Sequence, residues 1–125
     1  MILGFEEITV ELTDDECRLL PYLFKGFERR TKNNPIKARD ICAGMNKIST
    51  ETGVVLTEVR LRKICNFIRV KGMIPLIATS SGYYLSDDPE EIKKQIQSLK
   101  DRAGAILAGA NGLEQYAKRK NINIL

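Results

Sequence analysis

Between positions 60 and 69 the chain carries Arg60, Arg62, Lys63, Asn66 and Arg69, the side chains that hold phosphates as cations or pair bidentately with guanine and adenine edges. Lys37 and Arg39 precede them, and Ser80, Ser81 and Tyr83 follow, adding charge and hydroxyls of the kind that bond a phosphate backbone. Lys63 and Asn66 are the expected base contacts and Arg62 an expected phosphate contact. Other chemistry is scarce. The chain has no His and no Trp, and its three cysteines, Cys17, Cys42 and Cys65, form no CxxC pair, so no His-based zinc, haem or triad site can be built. The cysteines fall on apolar stripes and read as small core residues. The carboxylates Glu6, Glu7, Glu11, Asp14, Asp15, Asp87, Asp88, Glu90 and Glu91 fall almost entirely in first helical turns or on a strand edge, where capping and the helix dipole account for them. Neither catalysis nor a cofactor is expected.

The charge is lopsided. Residues 1–16 hold six acids and no base, whereas residues 17–72 hold thirteen bases and four acids, a local net of +9 within a chain whose total is +4. A concentrated positive field of this kind neutralises phosphates and releases their counterions.

The elements that must position these residues are legible in order. Residues 6–12, EEITVEL, alternate as a half-buried strand. Thr13 followed by Asp14, Asp15 and Glu16 reads as a capping box, opening a first helix whose stripe is Cys17, Leu20, Phe24 and Phe27 with Leu23 alongside; Pro21 should kink or restart it. A second helix runs from Pro35 to about Lys47, with Ile36, Ile41 and Met45 on one side. Residues 49–53 form a turn. Thr57 and Glu58 open a third helix that ends at Gly72. Its core stripe is Leu61, Ile64, Cys65 and Ile68, which places Arg62, Lys63 and Asn66 opposite and Arg60 and Arg69 on the flanks. Residues 74–78 and 83–86 read as a hairpin turning through Thr79 to Gly82, with Pro75 restricting the first strand to an edge or its first position.

Strand, three helices and hairpin is the order of a winged helix-turn-helix, in which the third helix enters the major groove and the hairpin rests on the backbone. The expected fold class is therefore mainly α with a small β component: a winged helix-turn-helix over residues 1–87, a long C-terminal helix over 88–120 and a tail over 121–125. The stretch from Leu12 to Tyr116, carried by LTDDECRLLPYL, NNPIKARDIC, EVRLRKICNFIRVKG, IPLIATSSGYYLSDD and IQSLKDRAGAILAGANGLE, resembles small winged-helix proteins of bacteriophages and prophages. That resemblance implies a DNA-binding regulator or replication accessory factor with a helical C-terminal extension. Position by position it puts Arg60, Arg62, Lys63, Asn66 and Arg69 on the recognition helix and Ser80, Ser81 and Gly82 on the wing.

The last helix carries the most regular pattern. Ile92, Ile96, Leu99, Ala103, Ile106, Ala110, Leu113 and Ala117 recur at alternating steps of four and three, a heptad seam. Exposed on a lone helix it would promote aggregation, so the expectation is a homodimer through this seam. Packing of the seam on the first helix, or a division of labour between its halves, is the alternative. The expected partner is duplex DNA, together with a second copy and possible replication or transcription proteins; a winged-helix module for protein contact alone is the competing reading. No apolar run of eighteen residues occurs, and Glu6 and Glu7 stand where a signal peptide carries bases, so a cytoplasmic protein with reduced thiols and no membrane contact is expected.

Overall fold

The computed structural model describes residues 11–124. They are mainly helical with one small antiparallel sheet: α1 (Asp14–Phe27), α2 (Ala38–Lys47), α3 (Ser49–Thr52), α4 (Glu58–Val70), β1 (Leu76–Thr79), β2 (Gly82–Leu85) and α5 (Pro89–Arg119). The chain divides into two compact units, one ending at Asp88 and the other beginning at Pro89.

In the first unit α1 begins as its residue types require. The Thr13 hydroxyl accepts from the Glu16 amide at 3.2 Å and Glu16 Oε1 accepts from the Thr13 amide at 2.9 Å, which satisfies two otherwise unpaired groups at the helix start. The helix sits about one residue round from the expected stripe. Leu19, Leu23 and Phe27 are buried in line with Glu16, Leu20 and Phe24 are only partly covered, and Cys17 is exposed. α1 runs unbroken through Pro21; Cys17 and Pro21 both lie on its solvent side, where water can take the carbonyl that proline leaves without a donor. The strand expected at residues 6–12 lies outside the described residues except for Glu11 and Leu12, which have no regular structure.

The second helix starts at Ala38, three residues later than expected. Pro35 to Lys37 is extended instead, because the amide and carbonyl of Ile36 are both bonded to Tyr83, at 2.9 and 2.8 Å. This bridge ties the segment ahead of α2 to the hairpin. At the crossing Gly82 has φ 130°, and a Cβ there would stand 2.6 Å from the Ile36 carbonyl oxygen, so only glycine fits. The hairpin pairs Leu76 with Leu85, Ile77 with Tyr84, Ala78 with Tyr83 and Thr79 with Gly82, leaving Ser80 and Ser81 as its two-residue turn.

Residues 49–52, expected as a turn, make a single helical turn closed by Gly53 at φ 71°. Asn46 then clamps the approach to α4: its Oδ1 accepts from the Leu56 amide at 2.8 Å and its Nδ2 donates to the Leu56 carbonyl at 3.2 Å. α4 is capped by the Thr57 hydroxyl and ends before Gly72 at φ 61°. Leu61, Ile64, Cys65 and Ile68 are fully buried. They meet Leu19, Leu23 and Phe27 of α1, Ile41, Cys42 and Met45 of α2, and Leu76 in one core.

In the second unit α5 is a single helix of 31 residues, about 46 Å long at 1.5 Å per residue. Pro89 stands at its first position, where the missing amide is not needed. At the other end Asn121 adopts φ 54° and the Ile122 amide reaches back to the Ala117 carbonyl at 2.9 Å, a left-handed cap that turns the tail off the helix.

Candidate nucleic-acid interface

The fold sorts the expected contact residues by their surroundings. Lys37 is the residue before α2 and Arg39 lies in that helix's first turn; both are exposed, as are Ser80 and Ser81 at the hairpin tip. A groove of about 390 Å³ brings Lys37, Arg39, Ser80 and Tyr83 together with Thr79 and with Glu58, the first residue of α4. Arg62, one turn along α4 from Glu58, is exposed. Among the described residues Lys37, Arg39 and Arg62 enter no ion pair. Their charge is therefore available to an outside anion. The Thr79 hydroxyl accepts from the Ser81 amide at 3.1 Å, so that tip amide is already engaged while the two serine hydroxyls face solvent.

On the opposite flank of α4 the cations are taken up internally. Glu16 is 2% exposed. Its Oε1 accepts from Lys63 Nζ at 2.6 Å and its Oε2 from Arg60 Nε at 3.2 Å, and Arg60 Nη1 also donates to the Val55 carbonyl at 3.1 Å. Lys63 is buried as well. This corrects the expectation that Lys63 reads bases: it serves as the counterion of a buried carboxylate, and to reach DNA it would have to leave that acid uncompensated in the core. Burial alone would raise the Glu16 carboxyl, but the hydrogen bonds from Lys63, the Thr13 amide and Arg60 outweigh it and hold the group at about 2. Charge and spacing alone do not single out Glu16 as a partner of these cations. Its signal was an acid on the same helical face as Leu19 and Leu23, a position that demands a buried partner.

Towards the hairpin, Tyr83 lines the groove but is half-buried. Its ring lies 6.1 Å from that of Phe27. Burial, with the neighbouring Cys65, raises its hydroxyl to about 12. Arg69 lies close enough for both groups to feel its charge, and its Nε and Nη1 are out of solvent with no hydrogen-bond partner. Asn66 is half-buried.

Two of the three cysteines behave as core residues. Burial raises both buried thiols, Cys65 to about 12, which suppresses the reactive thiolate. Cys17 is exposed. The native protein should therefore expose one thiol to an alkylating reagent, with Cys42 and Cys65 modified only on unfolding. Intact-mass analysis during labelling checks this, and two rapid additions would contradict the packing of α2 or α4.

The heptad positions of α5 are mostly uncovered within the chain: Ile96 is 48%, Ile106 40% and Leu113 73% exposed. Ala103 and Ala110 are exposed, Ile92 and Leu99 half-buried and Ala117 buried. Among the described residues no group of His, Cys, Asp and Glu is arranged to hold a metal ion, and no helix is long and apolar enough to cross a membrane. Comparison with protein-family models, characterised proteins and solved structures finds no match to this chain.

Proposed function

We propose that the protein binds duplex DNA as a winged helix-turn-helix, in the manner of the phage and prophage regulators or replication accessory factors that its sequence resembles. The observation that carries this reading is the groove at the start of α4, where Lys37, Arg39 and the tip hydroxyls converge from separate parts of the chain, with no ion pair for either cation among the described residues. In this reading Lys37, Arg39 and Ser80 hold phosphates across the groove, Arg62 grips the adjacent strand, and the exposed side of α4 enters the major groove. Glu58, the acid in the groove, is suited to accept from a cytosine amino group.

Binding to random and genomic duplex DNA at two salt concentrations tests the reading, since the electrostatic part of affinity precedes any knowledge of the site. Lys37→Ala and Arg39→Ala should each weaken binding to all sequences alike and reduce the salt slope by about one. Glu58→Gln should strengthen non-specific binding by removing repulsion from phosphate. No binding at low salt, or cation variants indistinguishable from the parent, would remove the proposal.

A second reading, a winged-helix module that meets protein only, draws on a different observation. Val59 and Val70 on α4 and Val55 just before it are 37%, 72% and 60% exposed, while Arg60 and Lys63 of the same helix are tied to Glu16. Salt-insensitive behaviour towards DNA would favour it.

A further inference from the structure

We propose that α5 pairs with α5 of a second copy in antiparallel orientation, centred near Ala108. The inference does not rest on DNA binding. The heptad seam has two unequal halves. One row, Ile92, Leu99, Ile106 and Leu113, is uniformly large. The other, Ile96, Ala103, Ala110 and Ala117, is small after its first member. A parallel pair stacks each layer on its own copy, so layers of two alanines, which leave voids, would alternate with layers of two large side chains. Reversing one helix sets the large row against the small row. With the two-fold axis near Ala108, Ala103 meets Leu113 of the partner subunit and Ile106 meets the partner's Ala110; the next layer out would set Leu99 towards the partner's Ala117, which is already covered within its own chain. Every layer of the overlap then joins one large and one small residue, while Ile92 and Ile96 lie beyond it.

The residues flanking the seam agree with this register independently. Lys100 falls opposite Glu114 of the partner subunit, and symmetry repeats that opposite-charge pair at the other end. Leu107, 61% exposed in the single chain, meets the partner's Leu107 across the axis on one side. On the other side Gly109 meets the partner's Gly109. A Cβ at Gly109 would touch nothing within 4 Å inside its own chain, so the chain itself gives no reason for a residue that weakens a helix relative to alanine. Close approach of a second helix supplies one. In a parallel pair Lys100 would instead neighbour an uncharged glutamine, the partner's Gln95, and Glu114 the partner's Gly109. The central residues 100–116 are exposed throughout, whereas Leu99 is half-buried and Ala117 buried.

Sedimentation over a concentration series, combined with oxidative cross-linking of full-length Cys17→Ser variants, tests the proposal. Protein carrying Ala103→Cys mixed with protein carrying Leu113→Cys should yield a mixed cross-linked dimer, and neither alone should cross-link efficiently. Efficient self-cross-linking of Ala103→Cys alone would show parallel pairing and overturn the orientation. A monomer at every concentration would overturn the pairing itself. Lys100→Glu should raise the dimer dissociation constant by about tenfold, since it turns two attractive pairs repulsive, and adding Glu114→Lys should restore it. Weakening that the second change fails to rescue would count against the register.

Discussion

Glu16→Ala is expected to lower the unfolding free energy by about 4 kcal/mol, a large share of what a domain of this size possesses. The substitution removes the acid from a pair whose lysine side chain is only 10% exposed, leaving Lys63 with no other acid paired to it among the described residues. Arg60 can relax, since its side chain is 33% exposed, so most of the cost falls on Lys63. The capping contribution to α1 is lost at the same time, because Glu16 also accepts from the Thr13 amide. Replacing both partners by apolar residues of similar volume, Glu16→Leu with Lys63→Met, should recover most of the loss, since burying two charges is itself costly. Urea unfolding of the parent, Glu16→Ala and the double variant decides the matter, and a loss below about 1 kcal/mol for Glu16→Ala would place the pair in solvent. Acid provides a second readout. The Glu16 carboxyl titrates at about 2 in the folded chain against an ordinary 4.5, so the stability it contributes is complete above pH 4.5 and is lost as pH falls towards 2, about 3 kcal/mol in all. The stability difference between the parent and Glu16→Gln should shrink over that window.

Gly82→Ala is expected to cost about 3 kcal/mol through backbone strain and a steric conflict combined. At φ 130° an L-residue is strained whatever space surrounds it, and here the added methyl would stand 2.6 Å from a backbone carbonyl oxygen, with the Ile36 carbonyl carbon at 2.7 Å. Flexible side chains yield to such a contact, but these atoms belong to the bridge between Ile36 and Tyr83. Relief requires the extended segment to move off the hairpin, breaking the two bonds at 2.9 and 2.8 Å. Because Lys37 and Arg39 follow Ile36 directly, the same movement opens the groove. The variant should lose DNA affinity even under conditions where α1, α2 and α4 remain helical by circular dichroism. Unchanged stability would mean that the crossing is looser than its geometry indicates.

Helices with one unambiguous stripe were legible from sequence. α4 shows only Leu61, Ile64, Cys65 and Ile68 at core spacing, and its caps at Thr57 and Gly72 are strong local signals, so its limits and buried face follow from short-range chemistry. α1 offers two overlapping stripes, one through Leu19 and Leu23 and the other through Leu20 and Phe24, and periodicity cannot choose between them. The choice is tertiary: the buried face is the one that carries Glu16 to Lys63, a residue 47 positions later. That long-range pair also explains why charge counting overstates the free cations of α4. Counting charges along the sequence credits α4 with every cation it carries, whereas the fold spends two of them on an acid from the preceding acidic segment. The late start of α2 has the same origin, since the Ile36 bridge to Tyr83 joins residues 47 positions apart. The groove residues could be named singly, but only the hairpin crossing brings Lys37 and Arg39 beside Ser80.

The length of α5 acquires a different meaning in an antiparallel pair. From Pro89 to an axis near Ala108 is nineteen residues, so the two helix starts lie about 57 Å apart at 1.5 Å per residue. Two-fold helix-turn-helix dimers commonly address half-sites one helical turn, about 34 Å, apart. In the proposed DNA reading, attachment points that far apart would favour two more distant sites, on one duplex or on two, and would lend each the high local concentration of its twin. In that arrangement α5 would work as a ruler, discriminating among DNA targets by the distance between them as well as by their bases.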